Sequence, residues 1–198
     1  MAPLVSIAER MSRWLAWAGG TLIVLSALLV TLEVILRKIF NISLGGADEI
    51  SGYAFGVATS FALAFALFER AHIRVDAAYN LFPRWGKLAA SLIGIVLLTG
   101  FGAVVAYMAW GLVADTLQHG SRSITPMRTP LAIPQIPWLA GWIFFVICGA
   151  LLIVSATLSI LRGKPADADR MIGIKSIDEQ IEDEAPDLEL PGNKGGDR

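Results

Sequence analysis

Four apolar runs, residues 14–36, 50–68, 88–114 and 138–161, constrain this sequence of 198 residues more than any other feature. A helix crossing a hydrocarbon core of about 30 Å needs about 20 apolar residues at a rise of about 1.5 Å each. Each run meets or nearly meets that length. Glu33 alone interrupts the first, and the other three carry no charge. A buried helix of a soluble domain could account for one such run. Four in so short a chain leave too little polar sequence to cover them. Charged residues make up only 17% of the chain and the mean hydropathy is +0.62, whereas soluble domains hold about 25% charged residues. The expected fold class is an all-α membrane protein with four transmembrane helices.

Arg10 and Arg13 precede the first run, as basic residues precede the core of a signal peptide. That core spans only about 7–15 residues. Here the run is longer and ends in Glu33, Arg37 and Lys38, so it reads as a retained anchor. The charge balance then predicts orientation. The N-terminal segment (residues 1–13), the second loop and the start of the tail carry ten Lys and Arg residues, whereas the first and third loops carry four. Ten against four places both termini in the cytoplasm. The chain is thus expected to be a multi-pass protein of a bacterial inner membrane.

The connections differ in character. In the second loop, Val75, Ala78, Tyr79, Phe82 and Trp85 fall near helical spacing among charged residues, which predicts a short interfacial helix. The third loop holds Pro126, Pro130, Pro134 and Pro137 and reads as extended. Residues 162–198 carry ten acidic against six basic residues and three prolines, a composition that predicts a disordered acidic tail.

Leucines gain little by hiding from lipid, so membrane helices associate through small residues that allow close approach. Gly52, Gly56, Ser60 and Ala64 recur every four residues in the second run. Ala90, Gly94, Gly102 and Ala106 share that spacing in the third, and Gly141 and Gly149 flank Phe145 in the fourth. Such strips either hold the four helices together or seat a larger membrane partner.

A carrier keeps ionisable groups at mid-membrane depth, where they are costly and therefore functional. Only Glu33 lies within a run, one turn from its end, with Arg37 four residues on. A local Glu33–Arg37 pair, a proton or cation site and an anchor to a partner are all readings of that acid. Cys148 is the single cysteine and reads as a small buried hydrophobe. His72 and His119 flank opposite membrane faces, so the pair cannot ligate one haem iron. A haem-bearing or quinone-linked membrane anchor of a dehydrogenase is nevertheless the alternative four-helix reading. No nucleophile–base pair, metal-ligand spacing, phosphate loop or nucleic-acid patch stands out, so neither an enzyme nor a bound cofactor is expected.

The remaining polar features have a recognisable order. The first run closes with "EVILRKIFN", "GGADEISGYAFG" leads into the second, "ALFERAHIRVD" closes it, and "TPLAIPQIPW" precedes the fourth. Over about residues 14–161 the chain resembles the DctQ-like small membrane subunit of tripartite ATP-independent periplasmic (TRAP) transporters. The matching positions are Arg37, Asn41, Glu49, His72, Arg74, Asp76, Pro134 and Trp138. One departure is Gly45-Gly46-Ala47, where the family often has a tryptophan, which implies a more flexible first loop.

The resemblance implies a three-part, sodium-coupled importer of organic acids. A periplasmic substrate-binding protein captures the cargo, a large membrane subunit carries it, and the small subunit belongs to the fixed scaffold. Asp48 and Glu49 become candidates for seating the binding protein, or for favouring the helix dipole. His72, Arg74 and Asp76 become candidates for a clasp to the large subunit or to membrane lipid headgroups, or form a solvated loop.

Overall fold

The computed structural model of the chain describes residues 2–71 and 84–173. Within them the chain forms α1 (Ala2–Phe40), α2 (Ala47–Phe68), α3 (Arg84–His119), α4 (Ala132–Leu161) and the short α5 (Pro165–Ile172). The first four are long and apolar enough to cross a membrane, in agreement with the four runs. Among the described residues there is no strand, only an isolated bridge between Arg122 and Pro130. The second-loop helix expected from sequence, with His72, Arg74 and Asp76, lies outside the described residues.

Each of the four helices extends beyond its apolar run. Hydrophobicity marks where hydrocarbon lies, whereas helix formation continues as far as the side chains favour it. Leu4, Ala8, Glu9, Arg10, Met11 and Arg13 are strong helix formers, so residues 2–13 continue α1 rather than forming a separate segment. The third loop is shorter than its prolines predict, because α4 starts at Ala132. Pro134 falls in the first turn, where backbone N–H groups have no helical partner to lose. Pro137 lies further inside, and its missing N–H removes one bond from α4.

The helix ends explain the turns. Asn41 has a φ of 53°, a left-handed conformation that asparagine tolerates better than most residues. There α1 stops, and the Ile42 N–H donates to the Leu36 carbonyl at 3.3 Å. Gly163, with a φ of 73°, ends α4 in the same way. The chain turns sharply and Pro165 opens α5, where a missing N–H is harmless. Ala168 and Ile172, one turn apart, are buried against α3 and α4. The expected disorder of the tail therefore does not extend to residues 165–172. The acidic average over residues 162–198 hides one short amphipathic segment.

The four long helices stand in an open row, α1–α2–α4–α3, not in a closed ring. Consecutive α2 and α3 are separated by α4, and α1 and α3 occupy the two ends without substantial contact. Phe145, Cys148, Leu152 and Ala156 of α4 are all at most 3% exposed. Ala64 and Leu67 of α2, Leu88 and Ile95 of α3, and α5 pack around them. A smaller cluster of Ala109, Val113 and Leu139, flanked by Trp138, forms toward the other end.

Each interface has a glycine in close contact with the neighbouring helix. A Cβ on Gly19 would lie 3.1 Å from the Ala58 Cα, joining α1 to α2. One on Gly141 would lie 2.9 Å from the Ser60 carbonyl carbon, joining α2 to α4. One on Gly149 would lie 3.1 Å from the Thr99 Cβ, joining α3 to α4. Contacts this short need a residue without a side chain, and dispersion across them is what lipid cannot replace.

Candidate functional site

Glu33 sits on the last turns of α1 and is buried, at 6% exposure. Its carboxylate accepts from Ser43 Oγ and from the Leu44 N–H, each at 2.7 Å. Both oxygens are therefore engaged by the following loop. The local Glu33–Arg37 pair expected from their spacing does not form, and Arg37 is exposed. Two short donors ten and eleven residues on offer better-directed bonds than a long, solvated guanidinium. Glu33 thus folds loop 1 (residues 41–46) back onto α1.

A second acid ties the next layer. Tyr53 donates to Glu49 Oε1 at 2.8 Å, and Thr125 Oγ1 donates to Glu49 Oε2. The first contact is one helical turn long, whereas the second joins residues 76 apart in sequence. Loop 3 (residues 120–131) is itself folded tightly. The Ser123 N–H donates to the Thr129 carbonyl at 2.9 Å, and the Leu131 N–H donates to Ser121 at 3.1 Å. Ser123 and Thr125 share a hydroxyl contact of 2.7 Å. Met127 of this loop covers Gly46, so closely that a methyl at 46 would displace its sulfur. Loop 1, the start of α2 and loop 3 are therefore tied into one cap. The first loop, which lacks the tryptophan common in the resembling family, is held by Glu33 and by Met127.

On that cap Asp48, Arg122 and Arg128 are exposed, and Ile124 projects fully at the loop tip. Asn41 is exposed beside it and serves to end α1. Thr125, Met127 and Ile124 carried no sequence signal. Tyr53 did, through its i,i+4 spacing from Glu49.

The small-residue strip of α2 is divided by the fold. Ser60 is 1% exposed, donates to the Val57 carbonyl at 2.8 Å and packs against Gly141. It is consumed inside this chain and cannot meet a partner. Ala64 is likewise buried. A Cβ at Gly52 or Gly56 would meet nothing within 4 Å, so the N-terminal half of the strip is an open furrow. Pro134 is half-buried in the first turn of α4, and Trp138 packs on Ala109, Val113 and Leu139. The open row also leaves long apolar faces bare: Val24, Leu25 and Leu28 on α1, and Leu97, Phe101 and Val104 on α3, are all exposed.

His119 lies beyond the bundle, with its Nδ1 3.2 Å from the Asp115 carboxylate and exposed. Residues 26–159 match the family described as "Tripartite ATP-independent periplasmic transporters, DctQ component". No curated protein and no solved structure matches the chain.

Proposed function

Since this chain belongs to the DctQ component family of tripartite ATP-independent periplasmic transporters, we propose that it is the non-catalytic scaffold subunit of a binding-protein-dependent secondary importer. The observation that carries this reading is the open row of helices. It buries glycine contacts between neighbouring helices and leaves other faces bare, the Gly52–Gly56 furrow and the Leu97, Phe101 and Val104 face of α3 among them. A large membrane subunit against those faces would hold this chain as its fixed frame. The resemblance to the family supports sodium as the driving ion and an organic acid as the cargo. The alternative of a dehydrogenase anchor receives no support from the family match.

The distribution of Lys and Arg supports cytoplasmic termini in a bacterial inner membrane. With that orientation the cap of loops 1 and 3 faces the periplasm, where Asp48 and Ile124 would meet the substrate-binding protein. His72, Arg74 and Asp76 would sit on the cytoplasmic side as a clasp to the large subunit. The test is co-purification and reconstitution. Tagged chain is expected to bring down a much larger membrane protein, and liposomes holding this chain alone are expected to show no solute uptake. Uptake by the isolated chain would refute the scaffold role.

A further inference from the structure

We propose that the first half of α1 holds an anionic phospholipid, with its phosphate at Arg10 and Arg13 and one acyl chain along Gly20 and Val24. Arg13, Trp14 and Trp17 stand three, four and seven residues after Arg10 and so share one face of α1. With Ser6 and Glu9 they line an open groove of about 540 Å³ of mixed polarity. Arg13 and Trp17 also line a second groove, of about 570 Å³, which continues past Ala16, Gly20 and Val24 to Phe65 of α2. Two grooves of different polarity therefore meet at the same two side chains. Gly20 has nothing within 4 Å of a Cβ, so the floor of the second groove is bare backbone.

Charge and length both select the occupant. Arg10 forms no ion pair among the described residues. Arg13 reaches only Glu9, at 3.5 Å with both side chains about half exposed, and so loose a pair yields readily to a better anion. Trp14 and Trp17 are 73% and 72% exposed, at the depth where indoles meet headgroups. From Arg13 to Val24 the helix rises about 16 Å at about 1.5 Å per residue. One leaflet of a hydrocarbon core of about 30 Å is about 15 Å deep. Basic side chains gather at one end of the joined grooves and mainly apolar ones line the rest, the arrangement of a headgroup and its acyl chain. This site stands on α1 itself and does not depend on the transporter reading.

The test uses the full chain, alone and in complex with its large subunit, in micelles with equal phosphatidylglycerol and phosphatidylcholine. Native mass spectrometry is expected to show phosphatidylglycerol retained in preference. A photoactivatable phosphatidylglycerol is expected to crosslink within residues 14–24 in both preparations. Arg10→Gln with Arg13→Gln should lower the preference by about ten-fold or more, each basic side chain contributing to attraction of anionic lipid. Gly20→Leu, which fills the groove but keeps the charges, should lower retention of both lipids. Equal retention of the two lipids by the unaltered chain would overturn the proposal, as would an unchanged preference in the double variant. So would competition by inorganic phosphate as effective as by the lipid, or loss of the crosslink in the complex, which would mean that protein covers this face.

Discussion

Gly141 and Gly56 lie on neighbouring helices, the first packed against Ser60 and the second bare, and the proposed function gives the second a docking role. Adding a methyl group at each separates internal packing from docking. At 141 the new carbon would sit 2.9 Å from the Ser60 carbonyl carbon. Carbon pairs rest at about 3.5–4.0 Å, so α2 and α4 must part by about 1 Å. A gap of that size forfeits roughly a quarter to a half of each dispersion contact. Because lipid already solvates the apolar surface, this loss is not offset by any hydrophobic gain. The expected cost of Gly141→Ala is about 1–3 kcal/mol, the usual range for an overpacked core. At 56 a Cβ meets nothing within 4 Å, so Gly56→Ala leaves the isolated chain at least as stable as before. Unfolding in mixed micelles with rising dodecyl sulfate, followed by tryptophan fluorescence, measures both. Co-purification of the large subunit should be weakened by Gly56→Leu. A Gly141→Ala chain as stable as the parent would refute the packing argument. A Gly56→Leu chain that co-purifies normally would mean that the α2 furrow faces lipid.

Thr125→Val removes the hydroxyl that reaches Glu49 and should speed hydrogen exchange of the amides in residues 121–131 several-fold, with little change in α4; unchanged exchange would show that the cap is held by other contacts. Ile172→Ser should release α5 at a cost of about 2 kcal/mol, seen as faster tryptic cleavage after Arg170, within that helix; cleavage at the parent rate would refute the docking of that helix. Truncation after residue 173 should leave stability unchanged, whereas truncation after residue 164 should lower it, because it uncovers the surface on α3 and α4 that α5 packs against; equal stability of the two would make α5 dispensable. Replacing Ile124 with Asp should weaken binding-protein-dependent uptake while assembly with the large subunit persists, and unchanged uptake would remove loop 3 from that contact.

Length and apolarity made α1 to α4 legible, because a bilayer imposes its thickness on any chain that crosses it. The order in which they stand was not legible. Which helix touches which is decided by contacts such as Gly141 against Ser60 and Gly149 against Thr99, and glycine spacing is similar on docked and bare faces. Hence the strip on α2 reads as one surface in sequence but is half sealed and half open in the fold. Glu33 was visible as the one acid in a run, yet its neighbour Arg37 was a poorer guide to its bonding than Ser43 and Leu44. The Glu49–Thr125 contact joins residues 76 apart, beyond the reach of any local pattern. For α5 the signal was present, in the spacing of Ala168 and Ile172, and was diluted by the acidic residues that follow.

The placement of α4 between α2 and α3 has a consequence for how the protein is made. Ribosomes deliver helices in chain order, so α1, α2 and α3 emerge before the helix that joins α3 to the other two. Until that last span enters the bilayer, α3 has no mate and α2 presents Ser60 and Ala64 to lipid. Maturation must then proceed by a late wedge that slips between two waiting neighbours. A stalled or shortened α4 would leave a hairpin and an orphan helix adrift, open to membrane proteases, however sound every preceding segment.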